Sequence, residues 1–233
     1  VKPSRIVLIR HGQSHGNVNR EVHATVPDWK IELTAKGFEQ ATKAGHNLVH
    51  ETGVTPIGVY TSPYRRTMQT WDEIALAFAI RRKPIAFVKE DLRLREQEWG
   101  ALRAFEPRKW EEIEAERDAY GTLFYRFLHG ESGCDVVDRC SDFLATLYRD
   151  FEKPDMPDQV LIVTHGFLLR ALLMRWLHWS VETFHNLSNP RNCETFELRL
   201  NASDRYELTK PFPTKADRPH HEPGGHRDKR EPR

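Results

Sequence analysis

Two histidines occupy matching places in two apolar runs. Arg5-Ile6-Val7-Leu8-Ile9 leads into Arg10-His11-Gly12, and Val160-Leu161-Ile162-Val163 leads into Thr164-His165-Gly166. Short β-rich runs of this kind read as buried strands. In open α/β sheets, ligands bind beyond the carboxyl ends of the strands, so both imidazoles are expected at one edge. The glycine after each histidine lets backbone N–H groups approach a ligand closely, and a helix starting after Gly166 adds a partial positive charge. The chemistry this predicts is the handling of an anion by histidine. A single strand-end histidine is more often a packed or surface residue, but two at matched strand ends are hard to explain that way.

Other chemistries fit less well. His11 and His15 are four residues apart, but Gly12 and Gly16 argue against the helix that would align them, and there is no HExxH. His220, His221 and His226 fall in a Pro-, Gly- and charge-rich stretch and read as solvated polar residues. Cys134, Cys140 and Cys193 are an odd set without CxxC spacing, which predicts free thiols in a reducing compartment. A formal net charge of +1 supplies no attraction for nucleic acid or for an anionic membrane. No apolar run approaches the roughly 20 residues that span a bilayer. No signal-peptide pattern opens the sequence, so a cytoplasmic location is expected.

The positioning elements follow from periodicity. Thr34 is a plausible N-cap for a helix reaching about His50, and Ile57-Gly58-Val59-Tyr60 reads as a second strand. Pro63 suits a first helical turn, so a helix is expected from there to about Ile80. Ile85-Ala86-Phe87-Val88 is a third strand. Residues 105–129 are helical in pattern but highly charged, and read as an exposed insertion. Further helices are expected from Gly130 to about Phe151 and from Phe167 to Leu177. Thr195–Leu200 alternates like a late edge strand, and Arg205-Tyr206-Glu207-Leu208 could pair with it as a hairpin. Alternation of strand and helix predicts a three-layer α/β/α sandwich with a mostly parallel sheet. At 233 residues, with 39% apolar and 30% charged side chains, one domain over residues 1–210 is expected. From Pro211 onward the composition predicts a disordered polar tail.

The wider pattern resembles the histidine phosphatase superfamily, which includes phosphoglycerate mutase. Leu8-Ile9-Arg10-His11-Gly12-Gln13-Ser14-His15-Gly16-Asn17 is similar to its opening signature, and Thr61-Ser62-Pro63-Tyr64-Arg65-Arg66-Thr67 to its second arginine motif. Leu94-Arg95-Glu96-Gln97-Glu98-Trp99-Gly100 matches the stretch bearing its acidic proton donor, and Gly130-Glu131-Ser132 and Thr164-His165-Gly166 complete the order. Phe124-Tyr125-Arg126-Phe127 and Trp179-Ser180-Val181-Glu182 resemble the plant-type phosphoglycerate mutase-like proteins in particular.

The resemblance implies that His11 is a phosphoryl-accepting nucleophile and Glu96 the proton donor, with Arg10, Arg66, Asn17, His165 and Gly166 binding the phosphoryl group of a small phosphorylated metabolite. No metal or other cofactor is implied. Glu98 and Arg65 are the neighbouring rivals of Glu96 and Arg66. Three departures bear on function. Gln13 replaces the family's usual acidic residue, and Val22-His23-Ala24-Thr25-Val26-Pro27-Asp28 stands where the mutases carry a Phe-Thr-Gly-Trp segment. The insertion has no Arg-Arg pair like the one the mutases carry there, and its Arg103, Arg108, Lys109, Arg117 and Arg126 instead read as a solvated face. These departures favour a phosphomonoester hydrolase. The rivals are a bisphosphoglycerate-dependent mutase and a non-catalytic scaffold. Specificity is expected from residues 18–32 and 101–130.

Overall fold

A computed structural model of the chain describes residues 2–53, 55–100 and 110–218. In chain order the elements are β1 (Arg5–Arg10), α1 (His15–Val18), α2 (Val22–Thr25), α3 (Ala35–Thr52), β2 (Ile57–Thr61), α4 (Arg65–Ile80) and β3 (Ile85–Glu90). There follow α5 (Trp110–Tyr120), α6 (Gly133–Phe151), β4 (Gln159–Thr164), α7 (Gly166–Leu177), α8 (Val181–Asn186), β5 (Thr195–Leu200) and β6 (Tyr206–Leu208). The six strands form one sheet in the order β3-β2-β4-β1-β5-β6. β1, β2, β3 and β4 are parallel, whereas β5 runs antiparallel to both β1 and β6. The expected hairpin forms, but β6 rather than β5 is the sheet edge. The alternation in β5 reflects two unlike faces, which an inner strand can also have.

Strand alternation sorts the core into two layers. Ile6, Leu8, Val160 and Ile162 face one side, where Phe143, Leu147, Leu168 and Leu172 of α6 and α7 cover them. Val7, Ile9, Leu161 and Val163 face the other, against Leu48 of α3 and Ile74 and Phe78 of α4. A strand covered on both faces must be apolar throughout, which is why the β4 sequence reads as a continuous apolar run. Thr34 caps α3 by accepting from Gly37 N at 3.1 Å, and Ser132 caps α6 in a reciprocal box with Asp135.

Two expectations from composition need correction. The charged helix α5 is not exposed all round, because Ile113 and Arg117 are buried, as are Leu123 and Phe127 just after it. Arg103, Arg108 and Lys109 lie outside the described residues. Residues 211–218 fold back onto the domain. Phe212 is buried and stacks on Phe196 with centroids 4.3 Å apart, and Arg218 is paired with Glu194 at 2.6 Å. The aromatic stack, the ion pair and backbone bonds such as Ser188 N to Pro213 O and Lys215 N to Asn186 O anchor a segment that its average polarity marked as loose. The expected tail beyond residue 218 lies outside the described residues.

Candidate active site

Sheet register brings the two histidines together. Arg10 of β1 is opposite Thr164 of β4, so the next residue on each strand, His11 and His165, emerges at the same level. His11 N donates to Thr164 O at 2.9 Å, and the imidazole centroids are 5.2 Å apart. A Cβ at Gly12 would stand 2.5 Å from Gly37 O, so only glycine lets the turn after His11 pack against the start of α3.

The His11 ring is buried, and its Nδ1 lies 2.7 Å from the carbonyl oxygen of Gly12. A carbonyl only accepts, so Nδ1 carries the proton and Nε2 keeps its lone pair. Burial, followed by the charges of Arg66 and Arg10, holds the His11 pKa well below the usual value and keeps the ring neutral. His165 is fully buried and shifted the same way, by burial and then by Arg66 and His11. Its Nε2 is 2.8 Å from Ser62 Oγ, and its Nδ1 has no hydrogen-bond partner.

The pocket at this edge is lined by Arg10, His11, Asn17, Arg66, Glu96 and Gly166 among others. Arg10 donates through Nη1 to Pro190 O at 2.5 Å, and its buried Nε is without a partner. Arg66, on the first turn of α4, is buried and gives both terminal nitrogens to the Asp28 carboxylate at 3.1 Å each. Asn17 Oδ1 accepts from Ser14 N and from Asn192 Nδ2, both at 3.1 Å. His165 stands behind this lining, beside Ser62 and Tyr64.

Glu96 sits across the start of α7. Its oxygens accept from Gln97 N at 3.0 Å, Leu168 N at 3.2 Å and Phe167 N at 3.3 Å. A carboxylate there complements the helix dipole. The segment that carries it is braced by Arg139, which donates to the carbonyls of Arg93, Arg95 and Glu96 and is itself held by Glu131. Glu98 does not line the pocket; its Oε1 accepts from Gly100 N at 3.2 Å. Arg65 is an exposed side chain paired with Glu32. Of each rival pair, the structure puts Glu96 and Arg66 at the pocket.

Other lining residues were not singled out from the sequence as site residues: Arg20, Trp99, Trp110, Arg117, Arg170 and Asn189. Arg170 did leave a signal, because it is a lone charge inside the apolar run Phe167-Leu168-Leu169-Arg170-Ala171-Leu172-Leu173. Of the Glu131–Arg139 brace, Glu131 stands in the Gly130-Glu131-Ser132 motif, whereas Arg139 left no signal. Among the described residues, no group of three or more His, Cys, Asp or Glu side chains could hold a metal, and no helix is long and apolar enough to cross a membrane.

Comparison with known proteins agrees with this geometry. The profile of the histidine phosphatase superfamily (branch 1) matches residues 6–209. A phosphoglycerate mutase-like protein of Arabidopsis thaliana is 39% identical over 218 residues, covering 88% of this chain and 68% of that protein. A broad-range acid phosphatase of Saccharomyces cerevisiae is 29% identical, covering 91% of this chain and 90% of its own. The solved structure of a mycobacterial glucosyl-3-phosphoglycerate phosphatase with VO3 superposes with a TM-score of 0.67 at 26% identity, over 91% of this chain and all of that one. Two strand-end histidines in register, a pocket lined by Arg10, Arg66 and Glu96, and a match along nearly the whole described sheet converge on one assignment: the chain belongs to the histidine phosphatase superfamily, branch 1.

Proposed function

We propose that this chain hydrolyses a small phosphomonoester through a phosphohistidine on His11, without a metal ion. The observation that carries the reading is the fixed tautomer of His11: Nδ1 is committed to Gly12 O, and the nucleophilic Nε2 remains free at a pocket lined by Arg10 and Arg66. A phosphoryl group in transfer spreads charge over three equatorial oxygens, so its catalysis is mainly positioning and electrostatic stabilisation. Two guanidinium groups, Asn17, the His165 ring and the amide edge at Gly166 are the groups to supply it.

In the first step His11 Nε2 attacks phosphorus and the P–O bond to the alcohol breaks. Glu96, in its acid form, gives its proton to the leaving oxygen. This yields phosphohistidine, the free alcohol and the Glu96 carboxylate. In the second step that carboxylate takes a proton from water as the water oxygen attacks phosphorus, the N–P bond breaks, and inorganic phosphate leaves with His11 neutral again.

Hydrolysis is favoured over the mutase reading because the first loop lacks the mutases' Phe-Thr-Gly-Trp segment and the insertion lacks their Arg-Arg pair. Similarity to a broad-range acid phosphatase along 91% of the chain supports the same choice. The deciding experiment supplies phosphorylated metabolites and measures phosphate release alongside interconversion of 3- and 2-phosphoglycerate primed with bisphosphoglycerate. Phosphate release from at least one ester is expected, together with an acid-labile, alkali-stable phosphate on His11 and loss of turnover in His11→Ala. Interconversion far faster than phosphate release would replace hydrolase with mutase, and full activity in His11→Ala would remove the mechanism.

A further inference from the structure

One asparagine behind the pocket is tied to two of the residues expected to handle the phosphoryl group. Asn192 does not line the pocket; it belongs to residues 189–194, the loop that leads into β5. Its Nδ2 donates to His11 O and to Asn17 Oδ1, both at 3.1 Å.

Neighbours fix which end of each amide is the donor. Ser14 N can only donate, so the Asn17 atom 3.1 Å from it is the oxygen. His11 O can only accept, so the Asn192 atom beside it is the nitrogen. The two hydrogens on that nitrogen match the two oxygens it faces. With Asn17 Oδ1 held by Ser14 and Asn192, Nδ2 is the end of that amide left to donate to a phosphoryl oxygen. The His11 carbonyl belongs to the peptide that precedes Gly12, whose own carbonyl holds the His11 ring. Asn192 thus restrains both the backbone that carries the nucleophile and the direction of a neighbouring donor.

The loop that carries Asn192 is secured by other bonds. Cys193 N donates to Arg10 O at 3.0 Å and to His11 O at 3.3 Å, and Pro190 O accepts from Arg10 Nη1. Arg218 spans the ends of the loop, donating to Asn189 O at 3.3 Å and to the two Glu194 carboxylate oxygens at 2.9 and 2.6 Å. Glu194 Oε2 also accepts from Arg191 N at 2.7 Å. The backbone is already pinned, so the Asn192 side chain is not what keeps the loop in place. Preset donors stabilise a transition state without reorganising, and a misplacement of about 1 Å can cost on the order of 10²-fold.

We propose that Asn192 is a positioning residue for phosphoryl transfer, which aims the Asn17 donor and steadies the His11 backbone without touching the substrate. The proposal rests on the roles given above to His11 and Asn17.

The probe is orthovanadate, which takes up the five-coordinate geometry of a phosphoryl group in transfer and whose binding needs no turnover. Asn192→Ala should weaken vanadate binding by about tenfold, and kcat/KM for phenyl phosphate should fall by a similar factor. Urea unfolding checks that the variant is folded. The discriminating measurement places the same substitution in Asn17→Ala. Acting through Asn17, it should then weaken vanadate by no more than about threefold further, the remainder reporting on His11 O. A role in loop stability alone would cost the same in both backgrounds. Asn192→Leu, close to asparagine in shape and without polar side-chain atoms, takes the place of the alanine variant if that one does not fold. Unchanged vanadate affinity in a folded variant, or an equal loss with and without Asn17, overturns the proposal. The expected losses in a chain that hydrolyses no ester leave the positioning standing and remove the hydrolase reading. No vanadate binding by the parent protein overturns both.

Discussion

Arg66 and Asp28 form a buried two-pronged ion pair, with both terminal nitrogens of the arginine 3.1 Å from the two carboxylate oxygens. Burial alone would raise the Asp28 pKa, but Arg66, with help from His23, holds it well below the usual carboxylate range. The aspartate thus takes the fork expected to clamp a phosphoryl group. Asp28→Asn should lower stability by about 3 kcal/mol, since it leaves a buried guanidinium without its counter-charge. Inorganic phosphate should restore more stability to the variant than to the parent, because it binds a fork that is no longer contested. Thermal unfolding with and without phosphate checks this, and a loss of stability with unchanged phosphate affinity would show that Asp28 does not compete.

Stability should fall below pH 6.5. His11 and His165 have folded-state pKa values well below that of a free histidine, through burial and then through neighbouring positive charge. The unfolded chain therefore takes up protons near pH 6.5 that the folded chain refuses. Each ring then costs about 1.4 kcal/mol per pH unit as pH drops from 6.5 toward its folded value. The loss begins at 6.5 and ends only when the folded rings themselves protonate. Urea unfolding at pH 7.0 and 5.5 measures it, and His165→Gln should remove one ring's share. For the same reason the neutral nucleophile should survive mild acid, so protonation of His11 should not set an acid limb of kcat/KM at the ordinary histidine value.

Glu96→Gln should separate substrates by leaving group. The side-chain amide of this variant could still accept from the α7 backbone N–H groups but would have no acidic proton to give, so the loss depends on how much the leaving oxygen needs one. Alkyl phosphates should slow by about 10²- to 10⁴-fold and p-nitrophenyl phosphate by far less in the first chemical step. Single-turnover rates on the two esters make the comparison. Equal slowing of both would remove Glu96 as the donor.

Chelation should have little effect. Arg10 and Arg66 already bring to the pocket the positive charge that magnesium supplies in many other phosphoryl-transfer sites. Excess EDTA should leave the rate within a factor of about two. A tenfold loss restored by magnesium or zinc would require a metal in the mechanism.

Much of this molecule is legible from sequence alone, and the reason is locality. The β4 run, the Thr34 cap and the glycines after His11 and His165 declare themselves through the residue's own backbone and its nearest neighbours. The parallel sheet follows from alternation of elements. Register does not follow from that pattern, because β1 and β4 are apolar on both faces, and only the packed sheet sets Arg10 opposite Thr164. The strand-end placement of Arg10, His11 and His165 was within reach of the sequence.

Other features depend on partners far away in the chain, and composition misjudged them. Arg117 belongs to a charged stretch whose average polarity predicts a solvated face. It is buried because Phe127, Phe167 and Gln97 converge on it from three segments. Phe212 sits in polar sequence, yet stacking on Phe196 ties its segment to the sheet. Asp28 is an ordinary loop acid until Arg66 arrives from α4. Sequence determined the strand-end chemistry, because that chemistry is built from adjacent residues on regular elements. Only the tertiary structure decided which distant charges are desolvated beside it, since burial and pairing belong to the packed chain and not to any window of its sequence.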